Sequence, residues 1–533
     1  MEHSDLSPTI QHTDRQPNIA DNVSGLLQSG INLNRPVLDL IADLCQALEA
    51  EDIAYCHWKS NNALDRSASG DNDLDLLVSR ADVSRFTEIL HRLKFKQVKA
   101  PIDKQMTSVV NYYGYDKQAN KWVHVHAHYQ LIMGHDMTKN FRLAIEEPYL
   151  GSAVWDGLFK VPAVEFEFIV FVIRMVLKHL TWDAIVSREG KLKTSERNEL
   201  TYLQSRINHN RVEEILKGHL PYISIDLFDN CIKALQPGCS IWTRVKASQQ
   251  LQARLQANAL YTPLVDTFLK LWRRAGLMVQ RRVFNSTSKY SLETGGAIIA
   301  ILGGDGAGKT TAVDALYGWL SKNFEITRVH MGKPAWSRIT IAIRSILKIG
   351  QLIGLYPLET SFDETLGQKS LVSPGYPYLL REVCRARDRY WAYIKARRSA
   401  AKGGLVILDR FPLPQIQLMD GLQVERFIRE LQAGSQAKQF LSPQLNSRLA
   451  KFLINLEENY YYQIVTPELL IVLRVDPEIA VQRKTDEDPA SVQVRSSEIW
   501  NLNWEGTSVH VIDASKSKID VIAEIKTLIW SKL

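Results

Sequence analysis

Nine consecutive residues, Gly303-Gly304-Asp305-Gly306-Ala307-Gly308-Lys309-Thr310-Thr311, have the types and spacing to hold a row of phosphates. They satisfy the pattern G-x-x-x-x-G-K-[ST], with Gly303, Gly308, Lys309 and Thr310 at the defining positions. Glycines let successive backbone N–H groups converge on phosphate oxygens. The lysine adds charge at the β and γ phosphates, and the following hydroxyl can reach a Mg²⁺ ion. A phosphate grip serves motors, switches and small-molecule kinases alike, so its companions decide the chemistry. Asp409-Arg410 ends the apolar run GLVILDRF, where a carboxylate can join a metal's shell beside a guanidinium able to grip a transferring phosphoryl group. In CRARDRYWAYIKARR, Arg385 and Arg389 lie four residues apart on one helix face, where they could hold an acceptor's phosphate.

A second constellation lies nearer the N-terminus. In GDNDLDLLV, Asp73 and Asp75 are two apart on a strand and therefore share a face, so they can share a divalent metal and clamp a nucleoside triphosphate. In KWVHVHAHYQ, His124, His126 and His128 alternate onto one strand face, where a pair of neutral imidazoles could ligate a metal.

These groups need elements to position them. Residues 34–149 read as mixed α/β: a helix in PVLDLIADLCQALEA, strands in IAYCHWK and LDLLVS, a helix in SRADVSRFTEILHRLKF, then two extended runs joined by KQAN as a hairpin. Residues 150–280 show 3.6-residue periodicity and read as a helical extension. Residues 281–295 read as a linker. From 296 to 533, AIIAIL, GLVILD, LLIVLRV and VHVID alternate with helices, which predicts a parallel sheet covered on both faces. Residues 1–33 are polar, lack an apolar signal-peptide core, and read as a flexible tail.

The bulk composition is consistent with several globular domains in a 533-residue chain that is 45% hydrophobic. A net charge of +7, with 58 acidic residues among the basic ones, favours phosphorylated small molecules over nucleic acid as partners. Five cysteines without metal spacing read as reduced thiols of a cytoplasmic protein. The apolar stretches 166–180 and 339–356 are too short and too charged to span a bilayer and read as amphipathic core helices. For the second, with Arg344 and Lys348 among its aliphatics, a role at a membrane surface or against a partner stays open, as does a homodimer.

Residues 296–533 resemble the thymidylate kinase family of P-loop nucleoside monophosphate kinases. The resemblance rests, in order, on G-x-D-G-A-G-K-T-T, Asp388-Arg389 in a helix, Asp409-Arg410 at a strand end, RVDPEIAVQRK and VIDASKSKIDVIAEI. It implies a P-loop NTPase-type sheet, ATP as phosphoryl donor and Mg²⁺ held through Thr310 and Asp409. It further implies Lys309 and Arg410 on the transferred phosphoryl, Arg389 on the acceptor's phosphate, and Asp305 facing the acceptor's sugar. Some members carry an arginine just after that acid. Here it is Gly306, so a catalytic arginine should come from the lid after RVDPEIAVQ, with Arg483 and Arg495 the candidates. The run DRFPLPQIQLMDG has Pro414 where members that phosphorylate dTMP have a serine, and lacks their Tyr-Gln pair. The expected acceptor is therefore not dTMP but another nucleoside monophosphate, or another small phosphorylated or sugar-like molecule.

The N-terminal part resembles nucleotidyltransferases of the polymerase-β type. HWKS stands at the family's small-residue turn, Asp73 and Asp75 form the D-x-D strand, and histidines stand on the later strand where a third carboxylate is expected. An altered metal site, a ligand-binding domain without nucleotide transfer, and an unrelated α/β domain all remain open. The expectation for the chain is an ATP-dependent phosphotransferase. Its alternatives are an ATP-operated switch governing the N-terminal part, or a nucleotidyltransferase in which that part is the principal enzyme.

Overall fold

The computed structural model describes residues 36–101, 104–186, 190–283, 289–355, 376–416 and 447–533. The expected tail at 1–33 and residues 284–288 of the expected linker lie outside them. By contact, the described chain divides into two compact units. The first takes residues up to Leu93, Met106–Val109 and Lys121–Trp272; the second takes Lys94–Gln105, Val110–Asn120 and Arg273–Leu533.

In the first unit the strand Tyr55–His57 pairs antiparallel with Leu74–Val78, which runs parallel to Lys121–His128 in the register Asp75 to His126. Cys56, Trp58 and Leu77 from this layer join one continuous core with the helices Val164–His179, Thr194–Gln204, His209–His219, Ile225–Leu235 and Ile241–Leu255. The helices after residue 150 thus share a core with the strands before it, and no packing boundary falls there. Val164–His179 is buried along nearly its whole length, as a helix apolar all round must be.

The second unit is organised by a five-stranded, all-parallel sheet. Across the sheet the strands run Ile326–His330, Leu405–Asp409, Ala297–Gly303, Leu469–Arg474, Val509–Asp513. Every residue of Ala297–Gly303 and of Leu405–Asp409 is buried, which a sheet covered on both faces requires. The first strand in chain order lies in the centre; the next two fall to one side of it and the last two to the other. Open sheets bind ligands outside the carboxyl ends of the strands where the order reverses in this way. Four strands coincide with apolar runs in the sequence. The fifth, Ile326–His330, is an edge strand with no fully buried residue, so Arg328 and His330 stand where a central strand would carry aliphatics. Lys96–Lys99, antiparallel to 111–113 and to Ser291–Leu292, belongs to this unit too, with Tyr113 packed edge-on against Tyr290 and Phe324.

No described helix is long and apolar enough to cross a membrane. The helix Arg338–Leu352 is not the core helix expected. Ile339, Ile346, Ile349 and Leu352 are exposed, while Thr340 and Arg344 on another side line a cavity. All five cysteines are free thiols, four of them buried.

Candidate functional site

The glycine-rich loop leaves the central strand at its carboxyl end and enters the helix Lys309–Leu320. Gly306 has φ 74°, and a Cβ there would stand 2.5 Å from the Ala480 carbonyl oxygen, so both conformation and space demand glycine. Gly308, at φ 80°, is the residue from which the helix starts. Thr310 and Thr311 fall in the first helical turn, where free N–H groups and the helix dipole favour an anion. Lys309 is buried and donates from Nζ to the carbonyl oxygens of Gly303 (2.9 Å) and Gly304 (2.6 Å).

Asp409 ends the adjacent strand, level with Ile301 on one side and His330 on the other. Its carboxylate is buried, 3.8 Å from Arg328 Nη2. Arg410 takes φ 72°, unusual for a residue with a Cβ, and its N–H donates to the Ile301 carbonyl. That turn swings the guanidinium to 4.0 Å from Asp305 Oδ1.

Of the two arginines expected from a lid, Arg483 and Arg495, the structure brings Arg495 to the loop. From the helix Pro489–Asn501 its Nε lies 2.9 Å from Asp305 Oδ2, and Glu487 braces its Nη2 at 2.5 Å. Arg483 turns elsewhere: its guanidinium donates to the carbonyl oxygens of Ala514 and Ser515 after the last strand. Two converging backbone acceptors hold it there. Asp305 is therefore the hub of three cations, Lys309 at 3.8 Å, Arg410 and Arg495. Ser496, which sequence reasoning missed, donates from Oγ to the Asp305 carbonyl at 2.9 Å and ties the helix Pro489–Asn501 to the loop.

Beside this hub opens a cavity of about 550 Å³ lined by Arg410, Arg389, Arg385, Arg344, Lys333 and His330, with Asp388 the acidic lining residue. Arg385 and Arg389 both border it, from the long helix Tyr376–Ala401. Arg389 is buried and fixed: Nε donates to Met331 O at 2.8 Å, Nη2 to Gly332 O at 3.3 Å, and Nη1 to the Tyr461 hydroxyl. Burial pushes that phenol up to about 12, against the pull of Arg389, so it stays protonated. Arg385 is tethered to Glu382 at 2.8 Å. Asp388 accepts from the N–H of Ser337, whose hydroxyl caps the helix Arg338–Leu352 and so places Arg344 over the Trp336 ring, 4.3 Å from its centroid. Lys333, Trp336 and Tyr461 escaped the sequence reading, and Arg344 was read only as part of a helix open to a membrane surface or a partner.

The N-terminal constellation also assembles. Because Leu74–Val78 and Lys121–His128 run parallel in register, Asp73, Asp75 and the three histidines meet on one face. Nδ1 of His124 lies 3.0 Å from Asp73 Oδ1, and Nδ1 of His126 lies 3.2 Å from Asp75 Oδ1. His128 Nε2 is 3.5 Å from the same Asp75 oxygen, and Lys59, from the HWKS turn, is 2.8 Å from it. Burial pushes the Asp75 carboxyl up, but Lys59 and the bonds from His126 and His128 outweigh it and hold the group well below the usual range. Burial lowers both His124 and His128, the latter to about 4, so both rings are neutral near pH 7. The turn itself is held from the helices: Glu199 accepts from the Ser60 N–H at 3.1 Å and Glu167 from the Asn61 N–H at 3.3 Å, with Arg174 3.4 Å from Glu199. None of these three was legible as part of a site, since they come from a segment that reads only as helix.

No family model matches the chain. Over 255 residues, 46% of this chain and 92% of the relative, it is 26% identical to the Escherichia coli K12 protein named "Uncharacterized ATP-binding protein YghR". The same-named protein of Escherichia coli O6:H1 matches to the same extent.

Proposed function

We propose that the second unit is an ATP-dependent phosphotransferase of thymidylate kinase type, acting on a small phosphorylated acceptor such as a nucleoside monophosphate or a sugar phosphate. One observation carries the reading: Lys309 of the glycine loop, Arg410 and Arg495 meet around Asp305, and Arg410 also walls a cavity lined with cations. The likeness to a protein named as ATP-binding supports ATP as the donor. The departures around Pro414 argue against dTMP as the acceptor.

The Thr310 hydroxyl and the Asp409 carboxylate are hard oxygen donors, which suits Mg²⁺; when bound, that ion neutralises charge on the β and γ phosphates. The chain's own groups supply the rest. Loop N–H groups and the helix start cradle the donor's phosphates. Lys309 exchanges its two carbonyl partners for phosphate oxygens. An acceptor oxygen attacks the γ phosphorus in line, the bond to the β–γ bridging oxygen breaks, and ADP leaves with that electron pair. Arg410 and Arg495 meet the charge on the phosphoryl group in flight. Arg385 and Arg389 hold the acceptor's own phosphate, Arg389 in an orientation fixed before binding.

The test is Mg²⁺-dependent ADP release by the full chain against a panel of nucleoside monophosphates and sugar phosphates. Acceptor-dependent release is expected, and Lys309→Ala should lower it by at least about 100-fold. Tight ATP binding without acceptor-dependent release would instead make the unit an ATP-operated switch.

A further inference from the structure

The D-x-D strand of the first unit is a poor seat for a pair of Mg²⁺ ions. Mg²⁺ takes oxygen ligands, whereas here the carboxylates of Asp73 and Asp75 face three imidazoles, and Asp75 already holds the Lys59 ammonium at 2.8 Å. The same groups suit a different cation. Two sets of donor atoms lie mutually within 4.8 Å: Asp73 with His124 and His126, and Asp75 with His126 and His128. His126 belongs to both, so the two sets compete for it.

Three observations decide between them. Lys59 occupies the Asp75 set, and a cation entering there would be driven against it. The Asp73 set is the outer one, because the Asp73 side chain is 50% exposed against 15% for Asp75, so an ion has a way in and a side open to water. Each oxygen of Asp73 also has its own imidazole nitrogen, His124 Nδ1 at 3.0 Å from Oδ1 and His126 Nε2 at 3.9 Å from Oδ2. Ligand atoms around a four-coordinate ion with bonds of about 2.0–2.1 Å stand about 3.4 Å apart, between those two values. The cation would take the place of the proton that His124 and Asp73 now share.

We propose that Asp73, His124 and His126 form a site for one divalent transition-metal ion, with Zn²⁺ the representative case, open to water on its outer side. Two imidazoles and one carboxylate select borderline ions over Mg²⁺ and Ca²⁺. Three protein ligands with an open position are the arrangement of ions that bind and polarise a ligand, not of closed structural sites. Asp75, fixed by Lys59 and His128, orients His126 from behind through the bond to its other nitrogen.

The experiment uses the full chain, freed of metal by chelator dialysis and titrated with Zn²⁺ by calorimetry and with Co²⁺ by visible absorption. One ion per chain is expected, with Co²⁺ bands of the intensity that four- or five-coordination produces and no thiolate charge-transfer band. Asp73→Asn and His124→Gln, which nearly conserve shape, should each weaken binding by at least about 10-fold while circular dichroism and melting without metal stay as in the parent. Unchanged binding in both variants would overturn the site. So would a thiolate band, which would put the ion on a cysteine, or a binding constant weaker than about 1 mM. Loss of the ion in His128→Gln but not in His124→Gln would move it to the Asp75 set and overturn the assignment made here.

Discussion

Arg410 carries a backbone strain that the task proposed for its side chain would account for. A residue with a Cβ held at φ 72° costs about 1–2 kcal/mol relative to glycine. Arg410→Gly is therefore expected to raise the unfolding free energy by about 1 kcal/mol in urea titrations while lowering acceptor-dependent kcat by about 100-fold or more. Loss of stability in that variant would refute strain as the explanation. The two lid arginines separate in the same spirit. Arg495, 2.9 Å from Asp305, should on replacement by alanine lose about 100- to 1,000-fold in kcat with little change in melting. Arg483 closes a turn onto Ala514 and Ser515, so Arg483→Ala should lower the melting temperature and leave kcat within about threefold. Steady-state kinetics beside thermal denaturation tells the two apart. Equal losses of kcat in both would mean that the lid rearranges on binding. From sequence the two were equivalent candidates, because both follow RVDPEIAVQ, where the family resemblance implies a lid. What distinguishes them is which acceptor lies within reach.

At the scale of elements, the helix Val164–His179 shows how a core element can carry polar work. Glu167 is buried in it yet accepts from the Asn61 N–H, one residue beyond the turn that presents Lys59. Burial is the main force pushing its carboxyl up, to about 7. A carboxyl raised in the folded state holds its proton there after the unfolded chain has released it, so folding loses stability as pH rises from about 4.5 to about 7. Glu167→Gln keeps the acceptor oxygen and removes the charge. The variant is expected to match the parent at pH 4.5 and to exceed it by up to about 3 kcal/mol at pH 8 in denaturant titrations. A constant difference across that range would count against a buried, titrating carboxyl. The parallel sheet makes the complementary point. Its central strands were readable as unbroken apolar runs, because burial on both faces leaves no polar choice, whereas the edge strand Ile326–His330 was not.

At the scale of the molecule, a net charge of +7 is modest, but cations gather around one cavity: Arg344, Arg385, Arg389, Arg410 and Lys333 line it together with Asp388. Such a lining attracts an anionic acceptor before contact and is screened by salt. Raising ionic strength from about 0.05 to about 0.5 M is expected to raise the acceptor's KM by about 10-fold, with a smaller effect on kcat. A KM flat over that range would rule out charge as the means of capture. Nothing in the composition announces this concentration, since its members come from four separate stretches, 330–336, 340–344, 385–389 and Arg410. Sequence by itself determined what depends on neighbours along the chain. The glycine-rich loop follows from glycines at set intervals, the doubly buried strands from unbroken apolar runs, and the shared face of Asp73 with Asp75 from the two-residue period of a strand. The tertiary structure alone decided what depends on strands and helices meeting. It brought Arg495 and not Arg483 to Asp305, aligned three histidines with two aspartates through a parallel register, joined the middle helices to the N-terminal strands in one core, and brought Tyr461 under Arg389. The physical reason is the same in each case: local spacing sets which way a side chain points, while its partner is set by packing among residues far away in sequence.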